Sequence, residues 1–129
     1  MNLLIDTHAV IWFITEDDQL PIKLKELIED ASNTCFVSVA SLWEMGIKYS
    51  LGKLDLKADL KKIFDLIDQS GLTILPITTT HILTNTILNF HHRDPFDRLI
   101  IAQAKSEGLT LISKDREFKD YNINLIWKE

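Results

Sequence analysis

Leu3-Leu4-Ile5-Asp6-Thr7-His8 is the stretch on which the reading of this chain turns. Three consecutive apolar residues closed by a carboxylate describe a short strand, buried on both faces, that stops at a polar rim. The pattern recurs. Cys35-Phe36-Val37 precedes a helix with Glu44 early in it, and Leu109-Thr110-Leu111-Ile112 runs into Ser113-Lys114-Asp115. A fourth acid, Asp97, opens a helix that leads back to that last strand. If the strands are parallel, Asp6, Glu44, Asp97 and Asp115 gather at one edge of the sheet, where such folds bind their ligands.

The elements around these acids alternate. Strands are expected at Asn2–Ile5, Cys35–Ser38, Leu72–Leu75, Leu109–Ile112 and Ile123–Ile126. Helices are expected at His8–Ile14, from Pro21 through the apolar face Leu24, Leu27 and Ile28, and at Leu42–Leu51. Another follows the i, i+3, i+4, i+7 spacing of Leu60, Ile63, Phe64 and Ile67, with Gly71 as its stop. A helix over Thr79–Phe90 should bury Leu83, Ile87 and Phe90, and Phe96–Glu107 is closed by Gly108. Short apolar strands alternating with helices predict an α/β fold with a parallel sheet covered on both faces. No repeat, linker or low-complexity tract divides residues 1–129, so a single domain is expected.

Composition supports a compact chain. It has 129 residues, 46% of them apolar, with 4 Gly and 3 Pro, which excludes a disordered or collagen-like class. The single cysteine, Cys35, excludes a disulfide framework and predicts a cytoplasmic protein. The N-terminal apolar run is too short for a membrane span and lacks the basic start of a signal peptide, so no membrane partner is expected. A net charge of −5 by itself opposes a nucleic-acid partner. Setting aside the four acids leaves the chain close to neutral, and Lys48, Lys53, Arg93, Arg98, Lys114 and Arg116 flank them.

Each acid has a plain structural explanation. Asp6 suits the cap of the helix after it. Ser41-x-x-Glu44 matches a capping box, and Glu44 with Lys48 is an i, i+4 pair. Asp94 before Pro95 is placed as an N-cap, and its role is assigned mainly to structure. Asp97 complements the helix dipole, and Asp115 fits turn chemistry. Capping alone does not explain why four acids share one rim. Clustered carboxylates repel unless a cation sits among them, and oxygen ligands of this kind suit Mg²⁺ or Mn²⁺. Such ions support hydrolysis of phosphodiesters. His91-His92 lacks a second His/Cys cluster, which disfavours zinc. His8, one turn from Trp12, fits either a substrate contact or ordinary packing. Trp12, Trp43 and Trp127 are expected in core or interface positions.

Taken with Val37-Ser38-Val39-Ala40-Ser41-Leu42-Trp43-Glu44, Asp94-Pro95-Phe96-Asp97-Arg98-Leu99-Ile100-Ile101-Ala102-Gln103-Ala104 and Leu111-Ile112-Ser113-Lys114-Asp115, the opening stretch resembles the PIN-domain ribonucleases. Among them it is similar to the VapC-like toxins of type II toxin–antitoxin pairs. The resemblance implies a PIN-like three-layer α/β/α sandwich with a central, mainly parallel sheet of about five strands. It implies an Mg²⁺- or Mn²⁺-dependent endoribonuclease in which Asp6, Glu44, Asp97 and Asp115 are the catalytic, metal-binding acids. Asp94 would supplement or replace one ligand, and Asp115 would bind a second ion or orient the attacking water. RNA, a cognate antitoxin protein and a second copy in a homodimer are the implied partners. Two other readings compete: a non-catalytic metal- or RNA-binding module of the same fold, and a phosphoacceptor domain. The second expects paired acids after the first strand, where this chain has Asp6-Thr7-His8.

Overall fold

The computed structural model describes residues 1–56, 58–90 and 94–127. Its strands are β1 (Asn2–Ile5), β2 (Thr34–Ser38), β3 (Thr73–Leu75), β4 (Thr110–Ile112) and β5 (Leu125–Ile126). They form one sheet in the order β3-β2-β1-β4-β5, and every pairing is parallel. The helices are α1 (Thr7–Ile14), α2 (Ile22–Glu29), α3 (Val39–Ser50), α4 (Leu60–Gln69), α5 (Thr79–Thr86) and α6 (Pro95–Glu107), with a 3-10 helix at Arg116–Tyr121. The α/β sandwich expected from the alternation is therefore present, and its sheet is parallel throughout.

Successive side chains of a strand point to opposite faces, and β1 uses both. Leu3 and Ile5 enter one core with Val10 of α1, Leu24 and Ile28 of α2, and Ile63 and Ile67 of α4. Leu4 enters the other with Ile100 and Ile101 of α6 and Phe118 and Tyr121 of the 3-10 helix. All three β1 residues are fully buried. Cys35 on β2 belongs to the first core; its thiol meets the Ile28 carbonyl at 3.6 Å, and burial pushes its pKa up. Gly108 ends α6 at φ 66°, the left-handed geometry that lets the chain turn directly into β4.

Two local expectations change. Helix α3 begins at Val39 rather than Leu42, because Ser38 is its N-cap and accepts the Ala40 N–H at 2.9 Å. Ser41 therefore lies inside the helix, and the Ser41–Glu44 capping box does not form. Helix α5 ends at Thr86, leaving Leu83, Ile87 and Phe90 exposed. Its inward residue is His81, completely buried. His81 Nδ1 accepts the Thr78 N–H at 3.0 Å, so the ring proton sits on Nε2, 2.7 Å from Glu107 of α6. The helix stops where the buried Arg98 guanidinium donates to the carbonyls of Asn85, Leu88 and Asn89. An apolar periodicity that ran on to Phe90 gave no sign of this polar anchor.

The contrast is measurable by urea unfolding. His81→Leu is expected to cost about 1–3 kcal/mol, because it strips the part-buried Thr78 N–H of its acceptor and removes the contact with Glu107. Ile87→Ser, on the exposed side of the same segment, should stay within about 0.5 kcal/mol of the parent.

Candidate metal centre and active site

With β1 paired to β2 on one side and β4 on the other, chain direction reverses about β1. The crevice at the C-terminal ends of these strands is the usual ligand position of an open parallel sheet. Asp6 leaves β1 there, its N–H bonded to Ile112 O of β4 at 3.0 Å. Its Oδ1 accepts the Ala9 N–H at 3.0 Å, so Asp6 does cap α1. Asp94 caps α6 through the N–H groups of Phe96 (2.8 Å) and Asp97 (3.2 Å), as its place before Pro95 predicted. Asp115 caps the 3-10 helix through the Glu117 N–H at 2.9 Å. Asp97 lies in the first turn of α6. The capping explanations of Asp6 and Asp94 are therefore correct, Asp115, expected as a turn residue, is a helix cap as well, and these roles coexist with a shared location.

That location is a cavity of about 210 Å³ lined by Asp6, Glu44, Asp97, Asp115 and Asp94, together with Thr7, His8, Lys48 and Phe118. Glu44 comes from α3 and is 3% exposed. Both its oxygens are engaged. Thr7 Oγ1 lies 2.7 Å from Oε1, and since a carboxylate only accepts, the threonine proton goes to Glu44. Lys48 Nζ is 2.6 Å from Oε2. Hydrogen bonding to Glu44, and more weakly the charges of Glu44, Asp94 and Asp97, holds the Lys48 ammonium above the usual lysine pKa. Burial pushes the Asp6 carboxyl up; hydrogen bonds from Ser113 and Ala9 and the nearby His8 offset this in part, and the Glu44 charge adds to it. Ser113 Oγ also accepts the Asp115 N–H at 3.1 Å, so one hydroxyl joins two of the acids.

These geometries accompany a clear relationship. The family model of the PIN domain matches residues 3–124. The chain belongs to the PIN-domain family. A curated relative, Ribonuclease VapC22 of Mycobacterium tuberculosis, is 25% identical over 124 residues, covering 93% of this chain and 92% of the relative. Among solved structures, VapBC2 from Rickettsia felis, bound to a DNA fragment from its promoter, superposes with a TM-score of 0.75. It is 23% identical and covers 99% of this chain and 100% of that one. DNA-bound VapBC from Salmonella typhimurium gives 0.71 at 19% identity, covering 98% and 97%. FitAcB from Neisseria gonorrhoeae gives 0.65 at 17%, covering 96% of each chain. PIN domains are typically metal-dependent nucleases.

The PIN cavity suits a hard divalent ion in kind, since every acid offers oxygen. As the side chains stand, no three His, Cys, Asp or Glu among the described residues converge on one ion position. Glu44, held by Thr7 and Lys48, would have to exchange the ammonium for the ion. Lys48 thus serves as the cation of the cavity in this structure. The sequence marked it as a helix-pair partner and as one of the bases flanking the acids, and it assigned no role to Thr7 or Ser113. Arg98, one of the bases that flank the acids in sequence, is buried and committed to carbonyls at the end of α5 and just beyond it. His91, His92 and Arg93 lie outside the described residues.

Two stability measurements follow from this electrostatics. In the fold the Asp6 pKa is raised, so its contribution to stability is present below the unfolded carboxylate value and lost as pH rises through the folded one. At pH 7 the ionised group opposes folding. Asp6→Asn, which retains a capping side chain, should therefore raise the melting temperature of metal-free protein by a few degrees, and Mn²⁺ should stabilise the parent but not the variant. Lys48→Met should act in the opposite sense, costing metal-free protein about 1–3 kcal/mol by leaving buried Glu44 without its cation. In calorimetric titration that variant should bind Mn²⁺ more tightly than the parent.

Proposed function

We propose that this chain is a Mg²⁺- or Mn²⁺-dependent endoribonuclease and the toxin of a toxin–antitoxin pair. The observation that carries the reading is the single cavity lined by Asp6, Glu44, Asp97 and Asp115, contributed by four separate segments of a PIN fold. The curated relative named as a ribonuclease, matched over nearly the full length of both chains, supports it.

In this reading Asp6 and Asp97 would hold the ion, Glu44 would complete the set, and Asp94 would be a further oxygen donor. Such an ion, when bound, would supply Lewis acidity at the phosphate and ease deprotonation of the attacking water. Asp115 orients that water for in-line attack on phosphorus. Thr7 fixes the Glu44 carboxylate, and Ser113 keeps Asp6 and Asp115 in register. Lys48, which lines the same cavity, would be free once released from Glu44 to offset charge on the phosphate as the P–O bond breaks. The cut leaves two RNA ends and consumes one water.

The antitoxin is proposed as the regulatory partner, because the fold superposes on VapBC2, VapBC and FitAcB. An arginine from such a partner would suit a cavity that already holds one ammonium. A homodimer and a cytoplasmic location complete the proposal. Among the described residues no helix is long and apolar enough to cross a membrane.

The test is cleavage of a broad RNA pool by antitoxin-free protein with Mg²⁺, Mn²⁺ or EDTA, beside Asp6→Asn. Ion-dependent cutting is expected, and the variant should lose more than about 100-fold, the upper range for a group that merely orients a ligand. Cutting that persists in EDTA or in the variant would overturn the assignment. Folded protein that binds Mn²⁺ and cuts nothing would favour a binding module.

A further inference from the structure

Beside the acidic cavity lies a second one that hydrolysis leaves unused. It measures about 360 Å³ and is lined by Asp6, His8, Trp12, Lys114 and Asp115. Asp6, His8 and Asp115 also line the acidic cavity, so the two share a wall. The i, i+4 spacing on α1 brings His8 and Trp12 onto one face, with ring centroids 5.8 Å apart. The Trp127 ring, just after β5, lies 6.0 Å from that of Trp12. From the turn after β4, the Lys114 ammonium stands 5.9 Å over the Trp12 ring. Trp12 packs partly against the core, as expected for a tryptophan, yet it also forms part of this cavity.

We propose that this cavity is a nucleobase subsite: the Trp12 indole stacks a base next to the scissile phosphate, and Lys114 neutralises that nucleotide's backbone charge. An aromatic surface with a cation above it, opening onto a phosphate-cleaving cavity, is the combination that single-stranded nucleic acid recognises. The volume falls within the ordinary range for small ligand sites. A base paired and stacked in a duplex has no face to offer, so the substrate must present an unpaired nucleotide at the cut. The proposal rests on the nuclease reading of the neighbouring cavity, but its test does not require turnover.

The full chain in EDTA, where metal-dependent hydrolysis is off, is titrated with a fluorescein-labelled single-stranded RNA hexamer and with the same hexamer in duplex form. Anisotropy is compared for the parent, Trp12→Phe, Trp12→Ala and Lys114→Gln. The single strand should bind more tightly than the duplex, and Trp12→Ala should weaken it about tenfold, the scale of one lost stacking contact. Trp12→Phe should keep most of the affinity, while Lys114→Gln should flatten its salt dependence. In parallel, uncharged adenosine and cytidine should shift the indole N–H resonance of Trp12 in the parent and leave that of Trp43 in place. Equal binding by a natively folded Trp12→Ala, duplex binding as tight as single-strand binding, or an unmoved Trp12 resonance would each overturn the subsite. If Trp12→Ala fails to fold, the nucleoside titration of the parent decides. Single-strand binding without any metal-dependent cutting would remove the nuclease reading and leave the subsite standing.

Discussion

Parallel pairing of β1 with both β2 and β4 is the constraint on which the rest of this molecule depends. Buried on both faces, β1 forces helices onto each side of the sheet and divides the apolar residues between two cores. It also makes the chain leave in opposite lateral directions at its C-terminal end. Asp6, Glu44, Asp97 and Asp115 come together because the backbone has nowhere else to bring the segments that carry them. The acidic cavity is thus a product of topology before it is a product of chemistry.

Assembling like charges carries a local cost, and small groups manage it here. Thr7 gives its proton to Glu44, Lys48 supplies a positive charge, Ser113 bridges toward Asp6 and Asp115, and helix N–H groups meet Asp6, Asp94 and Asp115. Asp6, Asp94 and Asp115 are caps and candidate ligands at once. An N-terminal helix end already favours negative charge, which offsets part of the cost of an acid placed there without a cation.

Much of this was legible from residue order. Strand runs such as Leu3-Leu4-Ile5 and Leu109-Thr110-Leu111-Ile112 lie on the sheet with small changes at their ends, and all four acids line one cavity. What the order of residues concealed was polar and tertiary. An apolar spacing through Leu83, Ile87 and Phe90 looked like a buried face, whereas the buried anchors of that region are His81 and Arg98. Both are ionisable types that pattern reading assigns to the surface, and their tertiary partners lie 9 to 26 residues away. Thr7 and Ser41 meet across 34 positions, which no local window can see. Serine at two nearby positions made Ser41 look like the cap that Ser38 provides. Trp12 belongs to both categories, since part of it packs on the core while it also lines a cavity.

Cys35, the only thiol of the chain, sits under α2 with its sulfur against the Ile28 carbonyl and its ionisation suppressed by burial. Thiolate is the reactive form, so alkylating reagents meet it only when β2 and α2 part. Its labelling rate therefore serves as a clock for the opening of this half of the sheet. Because β2 leads directly into the helix that bears Glu44, the clock reads how often that carboxylate's scaffold comes apart. An ion or partner that tightens the rim would slow a chemical reaction taking place deep beneath it.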